Sequence, residues 1–271
     1  MNDMQLFSLN GKTAVVTGGF GNLGPVFIVA LYNAGASVAV LDLPGKKPPE
    51  DLITLERTSG GKIQFYEADV TSKTQLTEVR EKIKKEIGII RILVNNAGID
   101  APPVAVQKTY TLVDFPLESA NTIFSVNTLG SFLCMQVFGE EMVNAKSGSI
   151  INIGSLYASV SPDAHFYDHL PSEPPFLKPP AYGASKAALY NLTKYFATHW
   201  GRLGVRVNML SPGGIDGGQD PAFKKKFSAR VPLGRLGAKE DLCGPIVFLA
   251  SDASRYITGE NLKVDGGFTA W

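Results

Sequence analysis

Lys12-Thr-Ala-Val-Val-Thr17 leads directly into Gly18-Gly-Phe-Gly-Asn-Leu-Gly24, which is followed by Pro25-Val-Phe-Ile-Val-Ala-Leu-Tyr-Asn-Ala-Gly35. The β-branched run predicts a buried strand, and the apolar run that opens with proline and stops at glycine predicts a helix. The spacing Gly19-x-Gly21-x-x-Gly24 between them is that of a dinucleotide-binding turn, where glycine lets the backbone approach a pyrophosphate and the helix N-terminus supplies N–H donors. The alternative is a glycine-rich turn that binds no ligand.

The rest of the chain repeats this alternation of strand and helix. Further strands are predicted at 37–41, 62–67, 91–94, 149–153, 205–210 and 262–264, and helices at 71–87, 118–145, from Tyr182 onward, and at 239–250. Such alternation predicts an α/β fold, a doubly wound parallel sheet (Rossmann fold) with three α/β/α layers. No repeat or linker divides the chain, so we expect residues 1–271 to form a single domain.

Composition excludes several classes of protein. The 271 residues carry a net charge of +1, so no bulk field favours nucleic acid or an anionic membrane. No uninterrupted apolar run reaches the ~18 residues of a membrane span, and the start has no basic-then-apolar signal pattern. Cys134 and Cys243 are far apart in apolar patterns, which predicts free thiols in a reducing compartment. We therefore expect a cytoplasmic protein.

Asp42 follows the second predicted strand, 18 residues beyond Gly24. At this distance a carboxylate can accept hydrogen bonds from the adenosine ribose hydroxyls of NAD, and it would repel the 2′-phosphate of NADP. Lys46 and Lys47 follow closely and could soften that preference. The sequence therefore favours NAD over NADP. The alternative for Asp42 is a polar residue that merely ends a strand.

Tyr182 and Lys186 are four residues apart at the start of an alanine-rich predicted helix, so they share one face. A nearby ammonium favours the phenolate and lowers the pKa of a phenol from its usual ~10. Such a pair could exchange a proton near neutral pH, as general acid–base catalysis requires. By itself the spacing is common, and a chance pair on a surface helix would look the same.

Together, motifs spread over nearly the whole chain from about Leu9 resemble the single-domain short-chain dehydrogenase/reductase family. They are Thr17-Gly18 through Gly24, Asp69-Val70, Asn95-Asn-Ala-Gly98, Asn127, Ser155, Tyr182 with Lys186, and Pro212-Gly213. The resemblance implies hydride transfer between NAD(H) and a secondary alcohol or ketone. No metal is implied. His165 and His169 have the spacing of some metal pairs, but no third ligand is apparent, and we predict no metal site.

The resemblance also implies roles for individual residues. Tyr182 would be the general acid/base, Lys186 would lower its pKa and hold the nicotinamide ribose, and Ser155 would hydrogen-bond the substrate oxygen. Asn127 would hold a water that links Lys186 to solvent. The implied cofactor contacts are Gly18, Asn22, Leu23, Gly24, Asp42, Asp69, Val70, Asn96, Tyr182, Lys186, Pro212, Gly213 and Ile215.

The sequence departs from the family pattern in three places. Asn22 stands where glycine is usual, and Gly217 where a threonine often contacts the cofactor carboxamide. Ser155 and Tyr182 are 27 residues apart, roughly twice the usual separation. The additional residues form an insertion at about 157–181 that contains six prolines, so it can be ordered without helix or strand.

The insertion is the best indication of substrate. It must leave the site and return to it, and its polar and aromatic side chains suit a hydroxyl-rich ligand: Asp163, His165, Tyr167, Asp168, His169 and Lys178. A surface flap or a subunit contact is the alternative. The C-terminal Val264-Asp-Gly-Gly-Phe-Thr-Ala-Trp271 and the run Met135-Gln-Val-Phe-Gly resemble family members that act on sugars, sugar acids and polyols. We thus expect a carbohydrate substrate.

Two other functions and an assembly state remain open. A sugar-nucleotide-modifying enzyme of glycan synthesis would need a further C-terminal domain, and a non-catalytic NAD-binding regulator would be expected to lack the proton-transfer residues. Family resemblance implies a homotetramer or homodimer. The apolar residues Leu189, Leu192, Phe196 and Trp200 fit burial between subunits, and Trp271 could reach a neighbouring one.

Overall fold

The computed structural model describes residues 3–100 and 109–271, and this part of the chain contains one sheet of seven parallel strands. The strands are β1 (Thr13–Thr17), β2 (Ser37–Asp42), β3 (Ile63–Glu67), β4 (Ile90–Asn95), β5 (Gly148–Ile153), β6 (Val205–Pro212) and β7 (Asn261–Val264). Each lies within two residues of its predicted range. Their order, β3-β2-β1-β4-β5-β6-β7, confirms the predicted doubly wound sheet.

Alternate residues of each strand enter two separate cores, which explains why the strands read as continuous apolar runs. Val15 and Leu93 belong to one core, and Val16 and Val94 to the other. Successive side chains of a strand point to opposite faces, so a sheet covered on both sides needs apolar residues at every position. The chain order reverses between β1 and β4, and this opens a crevice at the carboxyl ends of the strands.

Helices cover both faces and complete the three layers. They are α1 (Gly24–Asn33), α2 (Glu50–Thr58), α3 (Lys73–Glu86), α4 (Leu117–Phe124), α5 (Ser131–Asn144), α6 (Pro180–Trp200), α7 (Pro221–Arg230) and α8 (Cys243–Ala250). Core residues of α3, α5 and α6 pack on one face, and those of α1, α2 and α8 on the other. Helix α2 was not predicted, because Leu52 is its single buried residue and the helix therefore has hardly any apolar period.

The helix predicted at 118–145 is interrupted. A π-helical segment, Ser125–Gly130, separates α4 from α5 and contains Asn127. The Ser131 hydroxyl donates to the Asn127 carbonyl oxygen at 2.9 Å, which satisfies a main-chain acceptor inside this segment. Sequence period does not reveal a π segment, although such segments occur frequently at functional sites.

The stretch Leu117–Asn144 is long and apolar enough to cross a membrane by composition, with a mean hydropathy of 1.2 in its most apolar window. Within the fold, 56% of that window is buried. Cys134, Met135 and Phe138 have no exposed surface and pack in the core beneath α6 and the sheet. We interpret this stretch as a core helix.

The insertion packs against α7 and forms a third apolar cluster. Only two short 3-10 turns, Leu156–Ala158 and Ala164–Phe166, are regular in it, as its proline content predicts. Phe166 contacts the rings of Phe227 and Phe268, with centroids 5.2 and 6.1 Å apart. Phe166 therefore anchors the insertion to the fold through aromatic contacts.

Candidate active site

A cavity of about 780 Å³ lies at the carboxyl ends of the strands, where residues following β1, β2, β4, β5 and β6 meet. Ligand pockets in proteins commonly measure about 300–1,000 Å³. Nearly all the catalytic and cofactor residues that the family resemblance implies line it: Gly18, Asn22, Leu23, Asp42, Asp69, Val70, Asn96, Ser155, Tyr182, Lys186, Pro212, Gly213 and Ile215. Of that implied set, Gly24 and Asn127 do not line it.

The glycine turn after β1 is built on two close backbone approaches. Gly18 has φ +61°, and a Cβ there would lie 2.7 Å from the Ala97 Cα. A Cβ on Gly24 would lie 2.3 Å from the Gly19 carbonyl oxygen, so Gly24 serves the packing of helix on turn. Leu23 precedes α1, and no side chain caps the first N–H groups of that helix. The turn thus fits a pyrophosphate cradle, in which backbone N–H groups bind the phosphates.

Asn96 holds the glycine turn against β4. Its Nδ2 donates to the carbonyl oxygens of Thr17 and Gly18 at 3.1 and 2.8 Å. Its main-chain N–H donates to the Thr17 hydroxyl at 3.1 Å. These contacts connect residues at the end of β1 with a residue that follows β4, and the chain order reverses between these two neighbouring strands. Asn96 therefore shapes the cradle as well as lining the cavity.

Asp42 is a buried carboxylate with 5% of its surface exposed, and it lies at the end of the cavity that the resemblance assigns to adenosine, here called the adenosine end. It accepts the main-chain N–H of Phe20 at 2.8 Å and that of Leu43 at 2.9 Å. The ammonium of Lys46 lies 3.1 Å away and also lines the cavity, whereas Lys47 does not. The carboxylate of Asp42 and the ammonium of Lys46 thus both lie at this end of the cavity. Lys46, but not Lys47, is placed to weaken the predicted preference of Asp42 for NAD over NADP.

Tyr182, Ser155 and Lys186 converge at the other end of the cavity. The side chains of Tyr182 and Ser155 are hydrogen-bonded to each other. Lys186 Nζ donates to the Ile153 carbonyl oxygen at 2.8 Å and lies 5.9 Å from the centroid of the Tyr182 ring. Tyr182 and Lys186 come from the first two turns of α6, and Ser155 follows β5. The predicted grouping of a phenol, a hydroxyl and an ammonium is therefore present in the structure.

The titration of these groups differs from the expectation. Burial raises the pKa of Tyr182 above its usual value, the Asp100 carboxylate raises it further, and the hydrogen bond with Ser155 lowers it. Burial lowers the pKa of Lys186 to about 8, against the opposing influence of Asp100. The net shift of the Tyr182 pKa is upward, because burial of the phenol and the Asp100 carboxylate outweigh the lowering influence of Ser155.

Asn127 acts behind the cavity wall. Its amide donates to the Ile99 carbonyl oxygen at 3.1 Å and accepts the Ile99 N–H at 2.7 Å. It also donates to the Ser185 hydroxyl at 3.0 Å, and that hydroxyl donates to the Tyr182 carbonyl oxygen at 2.7 Å. In this structure Asn127 therefore fixes the start of α6 relative to the segment after β4.

Two charged residues of the cavity wall differ from the sequence predictions, one because it was not predicted at all and one because it was named only among the polar residues of the insertion. Asp100 was not predicted, although it stands just beyond the Asn95-Asn-Ala-Gly98 motif. Lys178 comes from the insertion, and its ammonium lies 2.7 Å from the Asp100 carboxylate and 5.1 Å from the centroid of the Tyr182 ring. We call the part of the cavity bounded by Asp100, Tyr157, Tyr167, Lys178 and Tyr182 the substrate end.

Most other polar residues of the insertion do not line the cavity. Asp163 and His165 pair with each other at 2.9 Å. Asp168 pairs with Lys226 of α7, and His169 lies 3.1 Å from the Asp220 carboxylate. Of the six side chains proposed as ligand groups, only Tyr167 and Lys178 reach the cavity. The expectation was wrong for the other four, because polar residues next to α7 find partners there.

Comparison with known proteins agrees with this geometry. The family model described as enoyl-(acyl carrier protein) reductase matches residues 26–269. The chain belongs to the short-chain dehydrogenase/reductase family. Members of this family are oxidoreductases with a nicotinamide cofactor, and the match supports one that acts on alcohols.

Similar members of the family include enzymes of sugars and polyols. Sorbose reductase of Candida albicans is 35% identical over 99% of this chain and 90% of the reductase. Galactitol 2-dehydrogenase of Rhizobium johnstonii is 31% identical over 100% of both chains. A crystal structure of gluconate 5-dehydrogenase from Burkholderia cenocepacia, in complex with NADP and tartrate, has a TM-score of 0.85 and 30% identity over 99% of both chains.

Proposed function

We propose that this short-chain dehydrogenase/reductase moves a hydride between NAD(H) and a secondary alcohol or ketone of a sugar, sugar acid or polyol, with Tyr182 as general acid/base. The observation that carries this proposal is the convergence of Tyr182, Ser155 and Lys186 in a cavity that also contains the glycine turn and Asp42. The names of the relatives support the alcohol class and the carbohydrate substrate.

Each residue of the proton-transfer group has a separate task. Ser155 donates a hydrogen bond to the substrate oxygen and orients it toward the Tyr182 hydroxyl. During oxidation the phenolate of Tyr182 takes the alcohol proton, and during reduction the phenol returns it. A nicotinamide cofactor, when bound, would supply the acceptor or donor of the hydride at the carbinol carbon. Lys186 holds the nicotinamide ribose and supplies positive charge close to the phenolate, and Asn127 holds α6 in place and a water next to Lys186.

We further propose NAD rather than NADP as the cofactor. The buried Asp42 carboxylate is held by two main-chain N–H groups and a lysine, so it cannot easily turn away from the ribose. A fixed carboxylate accepts hydrogen bonds from ribose hydroxyls and repels a 2′-phosphate. Lys46 weakens this repulsion, and one similar dehydrogenase holds NADP in its crystal.

Assembly as a dimer or tetramer, and a cytoplasmic location, belong to the same proposal. Of the four apolar residues first assigned to a subunit contact, Leu189 and Phe196 do not support it because they are buried within the subunit, whereas Leu192 and Trp200 are partly exposed. Leu129 and Tyr195 support it better, because 56% and 58% of their surfaces are exposed. Trp271 is 73% exposed, and its indole N–H donates to the Arg230 carbonyl oxygen at 3.1 Å within the same chain.

A substrate panel tests the proposed function. Purified protein is assayed for NADH or NADPH formation with aldoses, sugar acids, polyols, plain secondary alcohols and hydroxysteroids. We expect turnover confined to the carbohydrate classes, because the substrate end offers charged and phenolic groups to hydroxyls. Activity only on apolar alcohols would contradict the substrate class. Silence across the panel, with cofactor binding intact, would contradict the assignment as a sugar or polyol oxidoreductase.

The Asp100 carboxylate gives a pH-dependent prediction. It raises the pKa of Tyr182, whose ring also faces the ammonium groups of Lys178 and Lys186. Asp100→Asn removes the negative charge and favours the phenolate, so the lower limb of the pH profile of kcat/KM for alcohol oxidation should move to lower pH. Asp168→Asn, outside the cavity, is the control and should leave the limb in place. If the lower limb of the kcat/KM profile of Asp100→Asn kept its wild-type position or moved to higher pH, the effect of the Asp100 charge on the Tyr182 pKa would be refuted.

A further inference from the structure

The ion pair between Lys178 and Asp100 is placed where the non-reacting part of a substrate must lie. Lys178 Nζ lies 2.7 and 2.9 Å from the two carboxylate oxygens. The same ammonium lies 5.1 Å from the ring centroid of Tyr182 and 5.5 Å from that of Tyr157. A carbinol oxygen that reaches the Tyr182 hydroxyl therefore brings its neighbouring carbons close to this pair.

The pair is shielded from water on the lysine side. Only 7% of the Lys178 side chain is exposed, against 42% for Asp100. Tyr157 and Tyr167, which are hydrogen-bonded to each other through their side chains, also line this part of the cavity. Charged groups that are partly shielded from water interact more strongly with a ligand than exposed ones do. The pair is thus able to discriminate between substrates.

Among the residues that the structure describes, one acidic and one basic side chain bound the substrate end. Among the described residues that line the cavity, the acidic and basic ones are Asp42, Lys46, Asp69, Asp100, Lys178 and Lys186. Asp42, Lys46 and Asp69 lie at the adenosine end, and Lys186 belongs to the proton-transfer group. Lys178 and Asp100 are the described charged residues that bound the substrate end, and their opposite charges are in direct contact. Described residues therefore supply no surplus cation dedicated to a substrate carboxylate.

Hydroxyl groups match such a pair better than carboxylates do. A hydroxyl donates and accepts, so adjacent hydroxyls can donate to Asp100 and accept from Lys178, whose ammonium has three N–H groups. A carboxylate only accepts, and it would lie beside the negative charge of Asp100. We infer that Lys178 and Asp100 form a subsite for adjacent hydroxyls of an uncharged sugar or polyol, and that this subsite disfavours sugar acids. The inference rests on the proposed function and narrows its substrate class.

A second ion pair of the insertion provides the contrast. Asp168 and Lys226 also tie the insertion to the fold, but neither lines the cavity. If the pair of Lys178 and Asp100 served only as a similar tether, its removal would lower activity on all substrates alike. A subsite instead predicts a change in the ratio between substrates.

The test compares matched substrates that differ at one terminal carbon: galactitol with galactonate, and glucitol with gluconate. At one fixed pH, wild-type kcat/KM should favour the uncharged member by at least about tenfold, since like charges at contact are strongly unfavourable. In Asp100→Asn this ratio should fall by about tenfold, because the hydroxyl loses a charged acceptor and the carboxylate loses a repelling neighbour. In Lys178→Met, kcat/KM for the uncharged member should fall about tenfold with no gain for the acid.

The same comparison of kcat/KM values provides the control and the outcomes that would contradict the subsite. Asp168→Asn should keep the wild-type ratio. Because both members of a pair use the same Tyr182, any change in its pKa affects them equally and cancels in the ratio. Wild-type preference for the acid, or an unchanged ratio in Asp100→Asn, would overturn the subsite and leave the proposed function standing. No turnover of either member of any pair, with the aldose and alcohol classes also silent, would overturn both.

Discussion

Replacing Tyr182 with phenylalanine should lower kcat for alcohol oxidation and for ketone reduction by about a thousandfold, within the range that general acid–base groups contribute. The variant loses one oxygen atom, which is hydrogen-bonded to Ser155, and keeps a buried ring of the same shape. Binding of NADH, measured by quenching or energy transfer of protein fluorescence, should stay within a few-fold of wild type, because Lys186 and the glycine turn are unchanged.

Tyr190→Phe is the matched control for this variant. Tyr190 lies on the same helix, and its ring contacts the ammonium of Lys194 at 4.1 Å from the centroid, outside the cavity. The control variant should retain wild-type kcat. Turnover by Tyr182→Phe close to that of wild type would exclude Tyr182 as the proton donor and acceptor. If Tyr190→Phe also lost activity, the loss of turnover in Tyr182→Phe would be explained by a disturbance of the helix and not by removal of the phenol oxygen.

Replacing Asp42 with alanine should reduce the preference for NAD over NADP by about 10- to 100-fold in kcat/KM, the worth of a charge-assisted hydrogen bond of about 1.5–3 kcal/mol. The carboxylate would no longer accept the ribose hydroxyls or repel a 2′-phosphate. Steady-state kinetics with each cofactor at a fixed, saturating substrate concentration measures the ratio.

Two further variants separate charge from structure at this position. Asp42→Asn keeps an acceptor for the Phe20 N–H, so it removes the charge with less effect on the glycine turn. It should lose most of the preference. Lys46→Met removes the ammonium at 3.1 Å from the carboxylate and should strengthen discrimination against NADP. A wild-type enzyme that prefers NADP, or a preference that Asp42→Asn leaves intact, would show that the carboxylate does not select the cofactor.

The sheet and the proton-transfer group were predictable because each rests on a local rule. Parallel strands covered on both faces read as continuous apolar runs, and the turn after β1 needs glycine where a Cβ would meet backbone, as at Gly18 and Gly24. The spacing of Tyr182 and Lys186 fixes their shared face on α6. Once the strands are ordered, their carboxyl ends bring Asp42, Asn96 and Ser155 to the same cavity.

The features that escaped prediction depend on contacts between distant residues. Whether a polar side chain of the insertion faces the cavity or α7 is decided by its partners there, as the pairing of Asp168 with Lys226 shows. The Tyr182 pKa depends on burial and on Asp100, which the spacing of Tyr182 and Lys186 does not report, so the upward direction of its shift was not predicted. The π segment around Asn127 was likewise not predicted, because it lies within a stretch, Leu117–Asn144, that is apolar throughout.

The most direct test of the central claim follows the hydride itself. Whichever sugar or polyol of the panel turns over is prepared with deuterium on its carbinol carbon, and the reduced cofactor is isolated and analysed by mass spectrometry. We predict deuterium in the NADH formed by the wild-type protein, and no labelled NADH above background from Tyr182→Phe over the same number of minutes. NADH without deuterium from the wild type, or equal labelling by both proteins, would contradict hydride transfer assisted by Tyr182.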